Sequence, residues 1–335
     1  MQAMGFRVGA GTTVLLVVLL ALLVHKGPLY GCPPEAPLVQ SADDGVLGAE
    51  VHVLLASDRS QLPGMLISMI SVSRNLAPSD HCVMHIVVAR EDMELVRGML
   101  GCFREELASD AVIPSVQLHE VRWPPFNLTE FPTFFEHDVW GYRKPWIWSK
   151  VYAHEYLPNV SRALWLDNDV IVNAPLAPLY RMHMSRPFAA AVDQEYPYEL
   201  NTGMLLYNME LFKSERVANA VENWLYQWWE EALRPGGRFS FQAFHEQTAL
   251  SDLFLANPDP GQRAHIIDWR WNAVGLWNLW RIGSCARDAH ILHFNGFPLK
   301  YWDWRFPAWT INSWKYGVMK KYAPRHCAPL NWSFT

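Results

Sequence analysis

No basic run interleaved with aromatics occurs in this 335-residue chain, and its net charge is −5. Both argue against a dedicated nucleic-acid binder. Internal repeats and low-complexity tracts are absent as well, which removes solenoids, propellers and linker-like chains. Cysteines are few and odd in number, five, so they cannot all pair within one chain. Half the residues are hydrophobic. That is enough for a sizeable core in one large α/β domain or two smaller ones. The 17 tryptophans divide between core positions and surfaces able to stack on sugar rings, with the core taking the larger share.

Residues 8–24 form an uncharged apolar stretch, with Thr12 and Thr13 its only polar members. Its 17 residues span about 26 Å as a helix, close to the ~27 Å of a thin early-secretory bilayer. No small-x-small cleavage site follows Val24, so an uncleaved signal anchor is expected rather than a cleaved signal peptide. The expected layout is a cytosolic tail (1–7), a membrane anchor (8–24), a proline-rich stem (25–49) and a lumenal domain (50–335), in the Golgi or endoplasmic reticulum. Three glycosylation sequons, at Asn127, Asn159 and Asn331, agree with a lumenal domain. Cys82 with Cys102 and Cys285 with Cys327 are the expected disulfides, with buried free thiols as the alternative. Cys32 is left in the stem for an intermolecular bridge, which would suit a homodimer.

Within residues 50–335, strands and helices alternate. Strands are expected at 51–56, 84–89, 116–121, 188–192 and 204–207, and another ends at Asp167. Helices are expected at 62–76, 91–99, 146–157, 210–233 and 244–255, from apolar residues recurring at helical spacing. The alternation predicts an α/β fold with a parallel sheet covered by helices on both faces.

The most informative segment is Leu164-Trp165-Leu166-Asp167-Asn168-Asp169-Val170-Ile171-Val172. A buried strand delivers two carboxylates one residue apart, which alternation can point the same way. Such a pair repels itself unless a cation lies between. A hard divalent metal that also grips a diphosphate is the natural occupant.

Other segments give this pair its meaning. Ala56-Ser57-Asp58 ends the first strand, where ligands bind in a doubly wound sheet. There Asp58 either accepts hydrogen bonds from a nucleoside or caps a helix. Lys150 stands seventeen residues before Asp167, either a solvated lysine or the balance to negative charge. Asp193 follows an apolar run, and Asn201-Thr202-Gly203 opens another, its glycine allowing close backbone approach. Both Asp193 and Asn201 are either turn formers or partners of sugar hydroxyls. Glu246-Gln247 offers an acid and an amide early in a helix. His293 ends a short apolar strand, with Gly296 and Lys300 after it. An acidic pair elsewhere in the chain makes His293 a candidate third metal ligand.

Taken in this order, the segments resemble the retaining glycosyltransferases of family 8, the group containing glycogenin, bacterial galactosyltransferases and plant galacturonosyltransferases. The likeness covers about residues 50–305, Trp271-Asn272 included. It implies a GT-A (Rossmann-like) α/β fold with a mixed sheet, and an enzyme moving a sugar from a UDP-sugar donor to a glycan or glycoconjugate with retention. Asp167, Asp169 and His293 would ligate Mn²⁺, with Mg²⁺ as the alternative. Ala56 and Asp58 would lie at the nucleoside end, Gly296 and Lys300 at the diphosphate, and Asn168 within the nucleotide-sugar site. Lys150, Asp193, Asn201, Gly203, Glu246 and Gln247 would surround the sugar, with Glu246, Gln247 and Asp193 nearest the chemistry.

The chain departs from the family at three points. Glu246 stands where an aspartate is usual, the interval from His293 to Lys300 is one residue longer, and Tyr301 replaces a proline. Two rival classes share parts of this pattern. A phosphatase using Asp167 as nucleophile needs its motif early and a later Asp-Asp pair; over a hundred folded residues precede Asp167, and no such pair follows. A non-catalytic binding subunit on the same fold remains the alternative function.

Overall fold

The computed structural model describes residues 50–107, 111–127, 144–194, 196–233, 245–274, 285–295, 300, 302, 313–325 and 327. The expected anchor and stem lie outside the described residues, as do Gly296, the Asn331 sequon and most of the aromatic stretch 122–146. No helix among the described residues is long and apolar enough to cross a membrane.

Seven strands form one mixed sheet in the order β3-β2-β1-β4-β7-β6-β8. They are β1 (Glu50–Ala56), β2 (His81–Val88), β3 (Ser115–Glu120), β4 (Arg162–Leu166), β6 (Phe188–Val192), β7 (Leu200–Asn208) and β8 (His265–Ile267). β1 runs parallel to β2 and β4, and β2 parallel to β3. β7 is antiparallel to both β4 and β6. The run through Asp167 does not stay in this sheet. β5 (Val170–Val172) leaves it and pairs antiparallel with β9 (Ile291–His293) as a separate ribbon.

The strands read as unbroken apolar runs because both faces are buried. Val51, Val53 and Leu55 of β1 enter one core, while Leu54 and Ala56 enter the other. Leu164 and Leu166 of β4, and Met204 and Leu206 of β7, join the first; Ala163, Trp165, Leu205 and Tyr207 join the second. On the first face lie α1 (Leu62–Arg74), α2 (Met93–Leu107) and the C-terminal helix, described below as α9. The second carries α3 (Pro145–Trp148), α4 (Ala153–Tyr156), α6 (Met209–Ser214), α7 (Val217–Leu233) and α8 (Glu246–Phe254). α5 (Ala177–Tyr180) follows β5, and α9 (Ser313–Tyr322) closes the order.

Four expectations need correction. The helix expected at 146–157 is two single turns, α3 and α4, and Lys150 sits on the turn between them. The helix expected at 210–233 breaks at Arg216, whose φ of 53° is left-handed and cannot continue a right-handed helix. The helix expected at 91–99 starts at Met93 and runs on to Leu107. Finally, Cys102 pairs with Cys327, with a Cα–Cα distance of 5.5 Å. Cys82 is free and buried in β2, in the same core as the apolar side chains of α2. Burial pushes its thiol up to about 12, with Asp80 adding to the shift.

Candidate active site

Chain direction explains why distant segments meet. β1, β4 and β6 run one way and β7 the other, so the ends of β1, β4 and β6 share an edge with the start of β7. Ser57-Asp58, Asp167, Asp193 and Asn201-Thr202-Gly203 therefore line that edge. The Asp167 N–H donates to the Gly203 carbonyl at 2.8 Å, pinning the acidic turn to β7. β9 brings in the histidine: its register sets His293 opposite Val170, and the Phe294 N–H donates to the Asp169 carbonyl at 2.8 Å.

Buried serines of α1 hold the turn from behind. The Ser68 hydroxyl donates to the Val170 carbonyl at 2.7 Å, and the Ser71 hydroxyl accepts from the Val172 N–H at 2.9 Å. Gly64 permits this close packing. A Cβ there would fall 2.3 Å from the Trp302 ring and 2.5 Å from the Asn168 carbonyl. No sequence signal marked Gly64 or these serines.

Asp167, Asp169 and His293 offer three ligand atoms within 4.8 Å of one another, the only such group among the described residues. The Nε2 of His293 stands 3.2 Å from one Asp169 oxygen and 3.9 Å from one of Asp167. Lys300 donates to the other Asp169 oxygen at 2.6 Å. Burial alone would raise the Asp169 pKa, but Lys300 and His293 outweigh it and hold the carboxyl well below the usual range. Asp167 accepts from the Trp165 indole N–H at 2.7 Å and lies 3.2 Å from the Lys150 ammonium.

Lys150 and Glu246 form a pair, 2.9 Å apart, with both side chains only 4% exposed. Burial works against charge on each. For Lys150, the carboxylates of Asp167 and Glu246 outweigh it and raise the pKa. For Glu246, Lys150 leads the neighbours that lower it. The Glu246 Oε1 takes Lys150 and the Thr202 hydroxyl, whereas Oε2 is buried with no hydrogen-bond donor among the described residues. The Gln247 carbonyl accepts from the Thr202 N–H at 3.1 Å, and its amide donates to Glu199 at 3.3 Å.

Other candidates are placed as follows. Asp193 accepts from the Asn201 amide at 2.8 Å and from the Tyr196 N–H at 3.0 Å. The Asn168 amide donates to the Ala56 carbonyl at 2.8 Å, leaving Asn168 Oδ1 buried without a donor among the described residues. Asp58 is engaged as a cap, accepting from the Ser60 and Gln61 N–H groups, and also meets Lys144 at 2.5 Å. Gly203 faces a side chain: its absent Cβ would fall 2.0 Å from Cε1 of His293.

Residues 52–305 match the glycosyl transferase family 8 profile, about three quarters of the chain. The chain belongs to glycosyl transferase family 8. It is 22% identical over 299 residues to human glycosyltransferase 8 domain-containing protein 1, covering 76% of this chain and 73% of that one. The fold matches the galactosyltransferase LgtC, solved in complex with donor and acceptor sugar analogues, with a TM-score of 0.56. That match is 17% identical and covers 82% of this chain and 95% of LgtC. It also matches mouse xyloside xylosyltransferase 1 at a TM-score of 0.50, with 14% identity over 74% of this chain and 98% of that one. The architecture is thus GT-A, as the sequence implied.

Proposed function

We propose that this family 8 member moves a sugar from a UDP-sugar to a glycan or glycoconjugate acceptor with retention, aided by Mn²⁺ at Asp167, Asp169 and His293. One observation carries the reading. Three metal-type donors cluster within 4.8 Å at the ligand-binding edge of the sheet, flanked by Lys150 and Lys300. The residues fit a divalent cation. Three carboxylates (Asp167, Asp169, Glu246) face two ammonium groups, leaving the cluster net negative, and a divalent cation would make it net positive, the sign a diphosphate requires. A mixed carboxylate and imidazole set suits Mn²⁺ better than Mg²⁺.

Bound there, the cation would act as a Lewis acid on the departing diphosphate. Lys300 supplies a second positive charge in a partly buried site, where it counts for more than in water. Lys150 keeps Glu246 ionised. The donorless Oε2 of Glu246 is then ready to accept from a sugar hydroxyl or to face the cation-like anomeric carbon. Asp193, Asn201 and Gln247 complete the sugar pocket, and Ala56, Asp58 and Asn168 the nucleoside end. Glu246 is the one carboxylate among the described residues with a buried, unengaged oxygen, but its other oxygen is tied to Lys150 and the Thr202 hydroxyl, so we favour front-face attack over a covalent intermediate.

The acceptor enters over the loop from Asp193 to Glu199. Its Tyr196 and Tyr198 are 51% and 57% exposed, pack edge to face, and stand beside the sugar pocket through Asp193. Replacing both by alanine should raise the acceptor KM and spare hydrolysis of the UDP-sugar. An unchanged acceptor KM removes the loop from that role. We also propose a lumenal, membrane-anchored layout. It is supported by Asn159 and Ser161 of the sequon, both exposed in the turn before β4. N159Q should reduce an endoglycosidase-sensitive gel shift by one glycan, and no shift in the wild type would count against a lumenal domain.

The deciding assay is UDP release from a panel of UDP-sugars, with Mn²⁺ and with chelator. Metal-dependent release from one donor names the sugar. Release from none refutes the catalytic reading, and an inverted product anomer refutes retention.

A further inference from the structure

His293 is 3% exposed, and its ring is the hub of a hydrogen-bond chain that ends in the sugar pocket. The direction of every bond in that chain follows from chemistry. The Asn272 amide group lies 3.0 Å from the Asn201 carbonyl and 2.8 Å from Asn201 Oδ1. A carbonyl cannot donate, so the end of Asn272 facing it must be the NH₂. Asn201 Oδ1 is itself fixed as an oxygen, because it accepts from the Gly203 N–H at 3.0 Å, and the Asn201 amide donates to Asp193 at 2.8 Å. Asn272 therefore turns its oxygen to the Nδ1 of His293, 3.0 Å away. That nitrogen must carry a proton, which leaves Nε2 for the side where Asp169 and Asp167 stand.

Asn272 is fully buried, and the ring it holds is wedged against the space beside Gly203. Without Asn272, the ring nitrogens would face only the two carboxylates among the described residues. A proton on Nε2 would then satisfy Asp169 and block the nitrogen a metal needs.

We infer that Asn272 is a positioning residue: it fixes the Nδ1–H form of His293, and Asp193 and Asn201 fix Asn272 in turn. Metal site and sugar pocket thus share one hydrogen-bond chain. The inference rests on the proposed metal role of His293. A partner on the second ring nitrogen of a metal-bound histidine is commonly worth about 10- to 100-fold in metal affinity.

The test uses the full-length chain. Mn²⁺ uptake is followed by the loss of the free-ion electron paramagnetic resonance signal, in wild type, N272A, N272D and H293A. N272A should raise the Mn²⁺ Kd by about 10-fold or more. N272D keeps an oxygen opposite Nδ1 and should stay near wild type, although it sets an acceptor against the Asn201 carbonyl and should melt lower. A merely structural Asn272 would make N272A and N272D alike, and that result, or a wild-type Kd in N272A, overturns the inference. If the wild type takes up no Mn²⁺, the metal reading falls by itself. The imidazole nitrogen spectrum then decides: a protected Nδ1–H of His293 that is lost in N272A supports the inference, and one retained in N272A overturns it.

Discussion

Gly203 has no side chain, and His293 uses the space. A Cβ at Gly203 would lie 2.0 Å from Cε1, 2.4 Å from Nδ1 and 2.7 Å from Nε2 of the ring. Gly203→Ala should cost about 1–3 kcal/mol through overpacking and also move the ring, weakening Mn²⁺ binding. A melt together with a Mn²⁺ titration checks both, and normal metal affinity in the variant would contradict the placement. At this scale the sequence exposed the charged residues well. Asp167, Asp169 and His293 interrupt apolar runs, where an ionisable group calls for a partner, whereas Lys150 and Glu246 read locally as solvated helix residues and gain a role only from the resemblance. Gly203 was visible as a close approach, though to a ligand rather than a side chain. Gly64 and Ser68 act through packing against segments about a hundred residues away, and nothing local announces that.

At the scale of elements, three adjacent parallel strands carry a histidine ladder. His52 Nδ1 lies 3.0 Å from His85 Nε2, and His85 Nδ1 lies 3.1 Å from His119 Nε2. Tyr156 packs edge-on to His119, and Glu50 and Arg122 flank the two ends. Burial, and then the neighbouring rings, push His85 down to about 3; burial also lowers His52 and His119. The folded ladder thus binds fewer protons than the unfolded chain below the free imidazole pKa of about 6.5. Its stability is fully present above that pH and is lost as the pH falls toward about 3. Between about pH 7.5 and 5.5 the wild-type Tm should fall by roughly 2–4 °C, about 1 kcal/mol, and His85→Leu should flatten that slope. An equal slope in both proteins would show that the ladder does not titrate in this way. Long strands were legible because apolar runs buried on both faces cannot be mistaken for loops. The transfer of β5 out of the main sheet was not, since Val170–Val172 reads as a continuation of β4. Likewise, the break at Arg216 depends on one left-handed residue that is not a glycine.

For the whole molecule, the Cys102–Cys327 bond ties the C-terminal segment to α2, the two cysteines being 225 positions apart in sequence. Arg74 donates to the Lys321 carbonyl at 2.7 Å, and Asn75 to the Tyr322 hydroxyl at 3.0 Å, on the same face. Cys102→Ser should cost about 2–4 kcal/mol, read as a lower Tm that reductant reproduces in the wild type. Thiol labelling of Cys102 and Cys327 in the unreduced protein would argue against the bond. The C-terminal segment and α1 thus back the acidic turn that the ligand-binding edge depends on. The central claim is that Asp167, Asp169 and His293 hold a divalent cation on which UDP docks, and calorimetric titration of UDP into the full chain tests it most directly. UDP should bind with Mn²⁺ present, and binding should disappear with chelator or in Asp169→Ala. Binding of UDP that ignores both Mn²⁺ and that substitution, or no binding under any condition, would contradict the account.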